Sequence, residues 1–154
     1  MNTVLRELRV REITPAEDLK PLTALIRAAY SPLAAEGLRY WATHQSAQDT
    51  AKRLLRGIGF VGELDGQPIA TIALSRPDPE SKVPLLRDPT TWSFGQFAVD
   101  PAHKGRGYGR FIHDFALERA NREGCRVMAL HTAAPAVTLI AMYRAWGLPA
   151  GRHV

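Results

Sequence analysis

Gly105, Gly107 and Gly109 alternate with Arg106 and Tyr108 in the stretch HKGRGYGR, His103 to Arg110. Glycine lets a backbone approach a ligand closely and adopt positive φ. Spaced this way, the three can turn successive amides toward one anion. The stretch follows a strand-like run, WSFGQFAVD, and opens a run in which Tyr108, Phe111, Ile112, Phe115 and Ala116 keep helical spacing. A helix start adds N–H groups without intrahelical acceptors and the positive end of the helix dipole. Lys104, Arg106 and Arg110 surround it with charge. This is the chemistry of a pyrophosphate cradle.

Three ligands compete for such a cradle. A P-loop requires Gly-x-x-x-x-Gly-Lys-Ser/Thr, which the chain lacks. A dinucleotide fingerprint requires Gly-x-Gly-x-x-Gly and a carboxylate at the end of the next strand. Here the spacing is Gly-x-Gly-x-Gly, and the next strand ends in Leu130-His131. The third ligand is coenzyme A.

On that third reading, FAVDPAHKGRGYGRFIHDFALERANREG resembles the acetyl-CoA-binding segment of the GNAT superfamily of N-acetyltransferases. The family motif is Gln/Arg-x-x-Gly-x-Gly/Ala, and Lys104, Gly107 and Gly109 occupy its defined positions, with lysine in place of glutamine or arginine. The resemblance covers roughly Phe60 to Leu148. It implies a mixed α/β fold of the α+β type: a largely antiparallel sheet flanked by helices, with a splayed parallel strand pair forming the acyl-CoA slot. It implies acetyl-CoA as acyl donor and no metal. The backbone of Phe97, Ala98 and Val99 would pair with the pantetheine arm, and the amides of Gly105, Arg106, Gly107, Tyr108, Gly109 and Arg110 would hold the pyrophosphate beside Lys104. The reaction would be direct transfer of acetyl to a primary amine of a small molecule or peptide.

The same resemblance assigns the proton transfers. Tyr143, in AMYRAWG, matches the tyrosine that often serves the leaving thiolate, and a phenol pKa near 10 suits donation to it. By residue pattern alone, Leu139, Met142, Tyr143 and Trp146 form a helical stripe that would serve equally as core. His131 stands where some relatives carry a glutamate base. An imidazole pKa near 6.5 suits that task, and a water relay is the other route. Some relatives have asparagine seven residues before the tyrosine; here Ala136 stands there, which removes one pantetheine contact. Ala136 and the missing glutamate motivate a second reading, a non-catalytic acyl-CoA-binding module. The segment AAYSPLAAEGLRYWATHQ is where the family builds its acceptor side. Tyr30, Tyr40 and Trp41 would line the pocket or seal the first helices onto the sheet.

Other reactive residues have plainer readings. His103 and His113 lack metal-ligand spacing and read as surface residues. Cys125 is the only cysteine, which excludes an internal disulfide or a cysteine-based zinc site, and it reads as a small buried hydrophobe.

The elements that must position these groups follow from periodicity. VLRELRVREI, Val4 to Ile13, alternates as a half-buried strand does. Thr14-Pro15 should open a helix and Ser31-Pro32 should end it. Leu33 to Arg56 reads as helical in pieces. GFVGELDGQPIATIALS is a hairpin about Asp65-Gly66. RPDPESKVPLLRDPTTW is a surface loop. In WSFGQFAVD, Trp92 and Phe94 share one parity, Phe97 and Val99 the other. Such a slip predicts a β-bulge at Gly95-Gln96, unless both strand faces are buried. Gly124 should cap the cradle helix, CRVMALHT is a strand, and APAVTLIAMYRAWG is a last helix capped by Gly147.

The 154 residues fit one domain, 1–154, with 45% apolar and 23% charged residues. No apolar run approaches the roughly 18 residues of a membrane span, and the N-terminus lacks a secretory pattern, so the expectation is a cytoplasmic protein without a membrane partner. The net charge is +5, but sixteen arginines and four lysines are scattered along the chain and aromatics are only 8%. That dispersion argues against a basic nucleic-acid-binding domain, while the positive field still favours polyanionic ligands. The family usually has a further strand after Gly147. LPAGRHV is short for it, so either the chain is trimmed or a partner subunit, as in a homodimer, completes the sheet.

Overall fold

The structure is a computed structural model that describes residues 7–35, 46–82 and 84–130. Strand β1 is Arg9–Glu12, and helices α1 and α2 are Lys20–Ala35 and Ala47–Leu55. Strands β2, β3 and β4 are Ile58–Leu64, Gln67–Ser75 and Thr91–Val99. Helix α3 is Tyr108–Arg122 and strand β5 is Val127–Leu130. Among the described residues, one five-stranded sheet runs β1-β2-β3-β4-β5. The first three pairings are antiparallel; β4 and β5 are parallel. This is the mixed, largely antiparallel sheet expected, with the expected crossover helix α3 between the parallel strands. The last predicted helix lies outside the described residues.

Alternation along the strands sends side chains to both faces, and each face has its own core. On one face α3 lays Tyr108, Ile112, Ala116 and Ala120 over Phe60, Ile72, Leu74, Trp92, Phe94 and Phe97. On the other, α1 and α2 bring Leu22, Leu25, Ile26 and Leu54 onto Val61, Ala73 and Ala98. Phe111 and Phe115 were expected on the apolar stripe of α3, yet they stay 47% and 37% exposed. The sheet takes the narrower i, i+4 row, and Phe115 meets Phe60 only edge-on, at 5.5 Å.

The hairpin turns at Asp65-Gly66, both with positive φ, as a two-residue turn of right-handed twist demands. A second irregularity was not foreseen. Gly62 faces Ala70 but Glu63 faces Pro68, so Ile69 is an extra residue in β3. Ile69 and Ala70 consequently both pack into the α3-side core.

Helix α1 corrects the expectation at both ends. Thr14 to Glu17 form a turn of their own, closed by the Glu17 amide on the Thr14 carbonyl at 3.2 Å. Arg11 holds the Glu17 carboxylate through two nitrogens at 2.8 and 2.9 Å. The helix starts later, where Asp18 Oδ1 accepts the Lys20 amide at 3.0 Å and Pro21 sits in the first turn. The helical backbone then runs on past Ser31-Pro32 to Ala35; proline removes one hydrogen bond there, but its φ is already helical. Helix α2 opens with a capping box of Ser46 and Asp49. The Thr50 and Thr23 hydroxyls, 2.6 Å apart, join α2 to α1.

Candidate active site

The site begins with a defect in β4. Thr71 faces Ala98 and Ala73 faces Gly95, so two steps on β3 match three on β4. Gln96 carries the bulge, buried and at φ +49, a left-handed value uncommon outside glycine. The extra residue brings Phe97 to the same face as Trp92 and Phe94. The rings of Phe94 and Phe97 meet edge-on at 6.0 Å. The parity slip and the burial of both faces, posed as alternatives on the sequence, are therefore both present.

The bulge lies just past the parallel pairing. That ladder runs from Thr91 opposite Val127 to Phe94 opposite Leu130. From Gly95 to Val99, no strand pairs with this edge of β4 among the described residues.

The chain then turns into the glycines. Asp100 ends β4 by donating its amide to the Ile69 carbonyl at 2.7 Å. Its carboxylate accepts the Ala102 amide at 2.9 Å and opens a single turn of 3-10 helix, Pro101–His103. Gly105 and Gly107 follow at φ +75 and +85, and Gly107 is the N-cap of α3. Among the described residues, a Cβ at Gly105 would meet nothing within 4 Å. Phe111 donates to the Gly107 carbonyl at 3.1 Å, so the amides of Tyr108, Gly109 and Arg110 precede the helical ladder. An anion at this point would meet those amides and the helix dipole together. The exposed side chains of Lys104, Arg106 and Arg110 ring the turn. Arg110 lies 3.7 Å from Asp114, and Arg106 3.5 Å from His103 Nδ1.

Burial separates backbone from side-chain roles. The Tyr108 and Phe97 rings are in the α3-side core and the Ala98 methyl in the other. Phe97 and Ala98 can therefore offer a ligand only their backbone. His113 corrects the sequence reading: it is 3% exposed, its ring 5.5 Å from Phe94 and 6.2 Å from Phe97. His103 is half-buried beside Tyr108. Cys125 is buried as expected, and that burial pushes its thiol pKa up. Tyr143, His131, Ala136, Tyr40 and Trp41 lie outside the described residues, as does the Tyr30 side chain; the Tyr30 backbone is in α1.

The sequence profile of the Acetyltransferase (GNAT) family matches residues 22–148. The chain belongs to the GNAT acetyltransferases. Among curated relatives of this GNAT chain is the S-(2-succino)cysteine N-acetyltransferase of Bacillus subtilis (strain 168), 31% identical over 132 residues, 84% of this chain and 78% of the relative. Among solved structures, the GNAT domain of S. lividans PAT aligns with a TM-score of 0.71 at 21% identity, covering 94% of this chain and 83% of that one. A GNAT family acetyltransferase from Brucella melitensis, solved in complex with acetyl-CoA, aligns at 0.61 with 20% identity, covering 94% and 84%.

Sequence reasoning passed over one further feature. At the opposite end of β4 from the glycines, a cleft of about 600 Å³ opens between Arg56, Ser75, Arg76, Asp78, Lys82 and Ser93. Ser75 and Ser93 meet there through the β3–β4 register, which spacing along the chain does not show.

Proposed function

We propose that this acetyltransferase moves acetyl from acetyl-CoA to the primary amine of a small molecule or peptide by direct attack, as one catalytic domain. The observation that carries this reading is the sequence of features along β4: a bulge at Gln96, an edge without a strand partner among the described residues, then two left-handed glycines at a helix start. That backbone fits the donor's parts. Phe97, Ala98 and Val99 hold the pantetheine arm as an added strand would. The amides of Gly105 to Arg110 hold the pyrophosphate, with Lys104, Arg106 and Arg110 supplying charge.

The amine nitrogen bonds to the acetyl carbonyl carbon as the carbon–sulfur bond breaks, and the electron pair leaves with sulfur. His131 takes the proton that the amine loses. The Tyr143 hydroxyl donates a proton to the leaving thiolate. Tyr30 and Trp41 line the acceptor side. The B. subtilis relative is named for an amino acid substrate, S-(2-succino)cysteine, which makes amino acids the first acceptors to try.

Calorimetric titration with acetyl-CoA, with NAD as comparator, tests the donor. One-site micromolar binding of acetyl-CoA and no response to NAD is the expected result; no binding of acetyl-CoA would remove the reading. Release of CoA in the presence of amines then tests the transfer. Binding without release by any amine would favour the non-catalytic module. Tyr143→Phe should lower turnover roughly 10²-fold while acetyl-CoA still binds. Unchanged turnover would take the acid role from Tyr143.

A further inference from the structure

Ser75 and Ser93 face each other across the β3–β4 ladder. Both share the parity of Ala73, which packs toward α1 and α2, so their hydroxyls rise on that face. They lie in the floor of the 600 Å³ cleft. Among the described residues, Arg56 after α2, Arg76 after β3 and Lys82 stand around them, against the single carboxylate of Asp78. Arg76 is already engaged: it bonds Glu123 at 2.9 Å and lies over the Trp92 ring at 5.3 Å. Asp78 is turned into its own loop, where Oδ1 accepts the Glu80 amide at 2.9 Å. Among the described residues, the side chains of Arg56 and Lys82 have no carboxylate partner.

Position decides which ligand this charge serves. Ser93 lies six residues before Val99, about 20 Å along an extended strand, with the bulge between them. The cleft is therefore too far from the glycine turn to hold the same pyrophosphate. Gly95 shares the Ser93 face, two residues nearer the bulge, and among the described residues nothing stands within 4 Å of where its Cβ would be. The volume is in the range of small-molecule sites. Guanidinium and ammonium groups beside hydroxyls recognise carboxylates through charge-assisted hydrogen bonds, and they repel polycations.

We infer that this cleft anchors the acceptor by its carboxylates, so that the substrate is an amine bearing acidic groups, of the acidic amino acid class. The inference rests on the acetyl-transfer reading above for what happens to the amine, and on the cleft alone for the binding.

The test uses the full chain and the double variant Arg56→Gln/Lys82→Gln. Both side chains are exposed, so the fold should survive. Specificity is read as the ratio of kcat/KM for glutamate and S-(2-succino)cysteine to that for their amidated counterparts. The wild type should favour the carboxylates by roughly tenfold or more, and the double variant should lose most of that ratio. Arg56→Lys alone should retain most of it. A wild type that prefers the amides, or a preference untouched in the double variant, overturns the inference. Calorimetric titration with succinate asks the same of binding, without turnover. Saturable binding that disappears in the double variant supports the cleft. Its absence in the wild type, or its persistence in the variant, overturns it. A chain that releases no CoA with any amine fails the acetyl-transfer reading instead, and the succinate result still stands on its own.

Discussion

A left-handed backbone angle is free of steric cost at glycine and costs roughly 1 kcal/mol or more in a residue with a Cβ. Gly107 at φ +85 is therefore a sharp test of the cradle. Gly107→Ala should lower stability by about 1 kcal/mol, read as a drop in Tm, and weaken acetyl-CoA tenfold or more, roughly, by calorimetry, because relaxing φ re-aims the following amides. Equal acetyl-CoA affinity in that variant would mean that the turn does not face the pyrophosphate. Gln96 sits at a similar angle without glycine's freedom. Gln96→Val should destabilise by about 1–2 kcal/mol in urea unfolding, since a β-branched side chain tolerates φ +49 least. The glycines were readable because their role is local. Gln96 was readable only indirectly, through the parity of its neighbours. No local preference of glutamine announces a left-handed angle.

At the scale of elements, β4 holds the site together. It joins β3 on one edge and β5 on the other as far as Phe94, then bulges and leads into the cradle. Phe97 belongs to the α3-side core only because of the extra residue. Phe97→Ala should cost about 3–5 kcal/mol in denaturant unfolding, as a buried ring lost from a close-packed core does. A cost below 1 kcal/mol, roughly that of a surface change, would mean that Phe97 faces outward. The hairpin was legible because Asp65-Gly66 meets the turn's demand for positive φ locally. The start of α1 was not. Thr14-Pro15 has good capping chemistry, but Arg11 on β1 draws Glu17 back, and Arg11 in turn bonds Glu63 on β2 at 2.9 Å. A contact made across the sheet overrode a local signal, and no reading of neighbours in the chain could supply it. The bulge at Ile69 was missed for a related reason. Pro68 hints at a break, but only the partner strand shows which residue is extra.

Over the whole molecule, charge is used in linked surface groups as much as in the site. Arg119 bonds Glu123 and Glu12, and Glu123 also bonds Arg76, so one chain of ions ties α3 to β1 and to the end of β3. Arg76 first and Arg119 second hold the Glu123 carboxyl below its usual range. Arg11, with help from the Thr14 amide, holds Glu17 at about 2 rather than 4.5. A depressed carboxylate contributes stability above its unfolded pKa, and that contribution is lost as pH falls through the folded value. The Arg11–Glu17 pair is partly solvent-exposed, so screening limits it to about 0.5–1 kcal/mol. The Tm difference between wild type and Glu17→Gln should be constant above about pH 5 and shrink as pH falls toward 2. A difference that grows on acidification would refute the pairing. The acceptor-side cleft escaped the sequence reading at this same scale. Arg56, Arg76 and Lys82 look dispersed along the chain, and only the fold gathers them.

Strand order equals chain order in this sheet, and that has a consequence for time. β2, β3 and β4 form a meander whose partners are near neighbours in sequence. β1 must wait for two helices to close the gap to β2, and β5 for α3 to close the gap to β4. Loops that are short to close form early. The meander, which contains the bulge and leads into the glycine turn, is thus the part of the chain expected to be laid down first. Helices α1 and α2 and the far strand would then assemble against a β4 already bent.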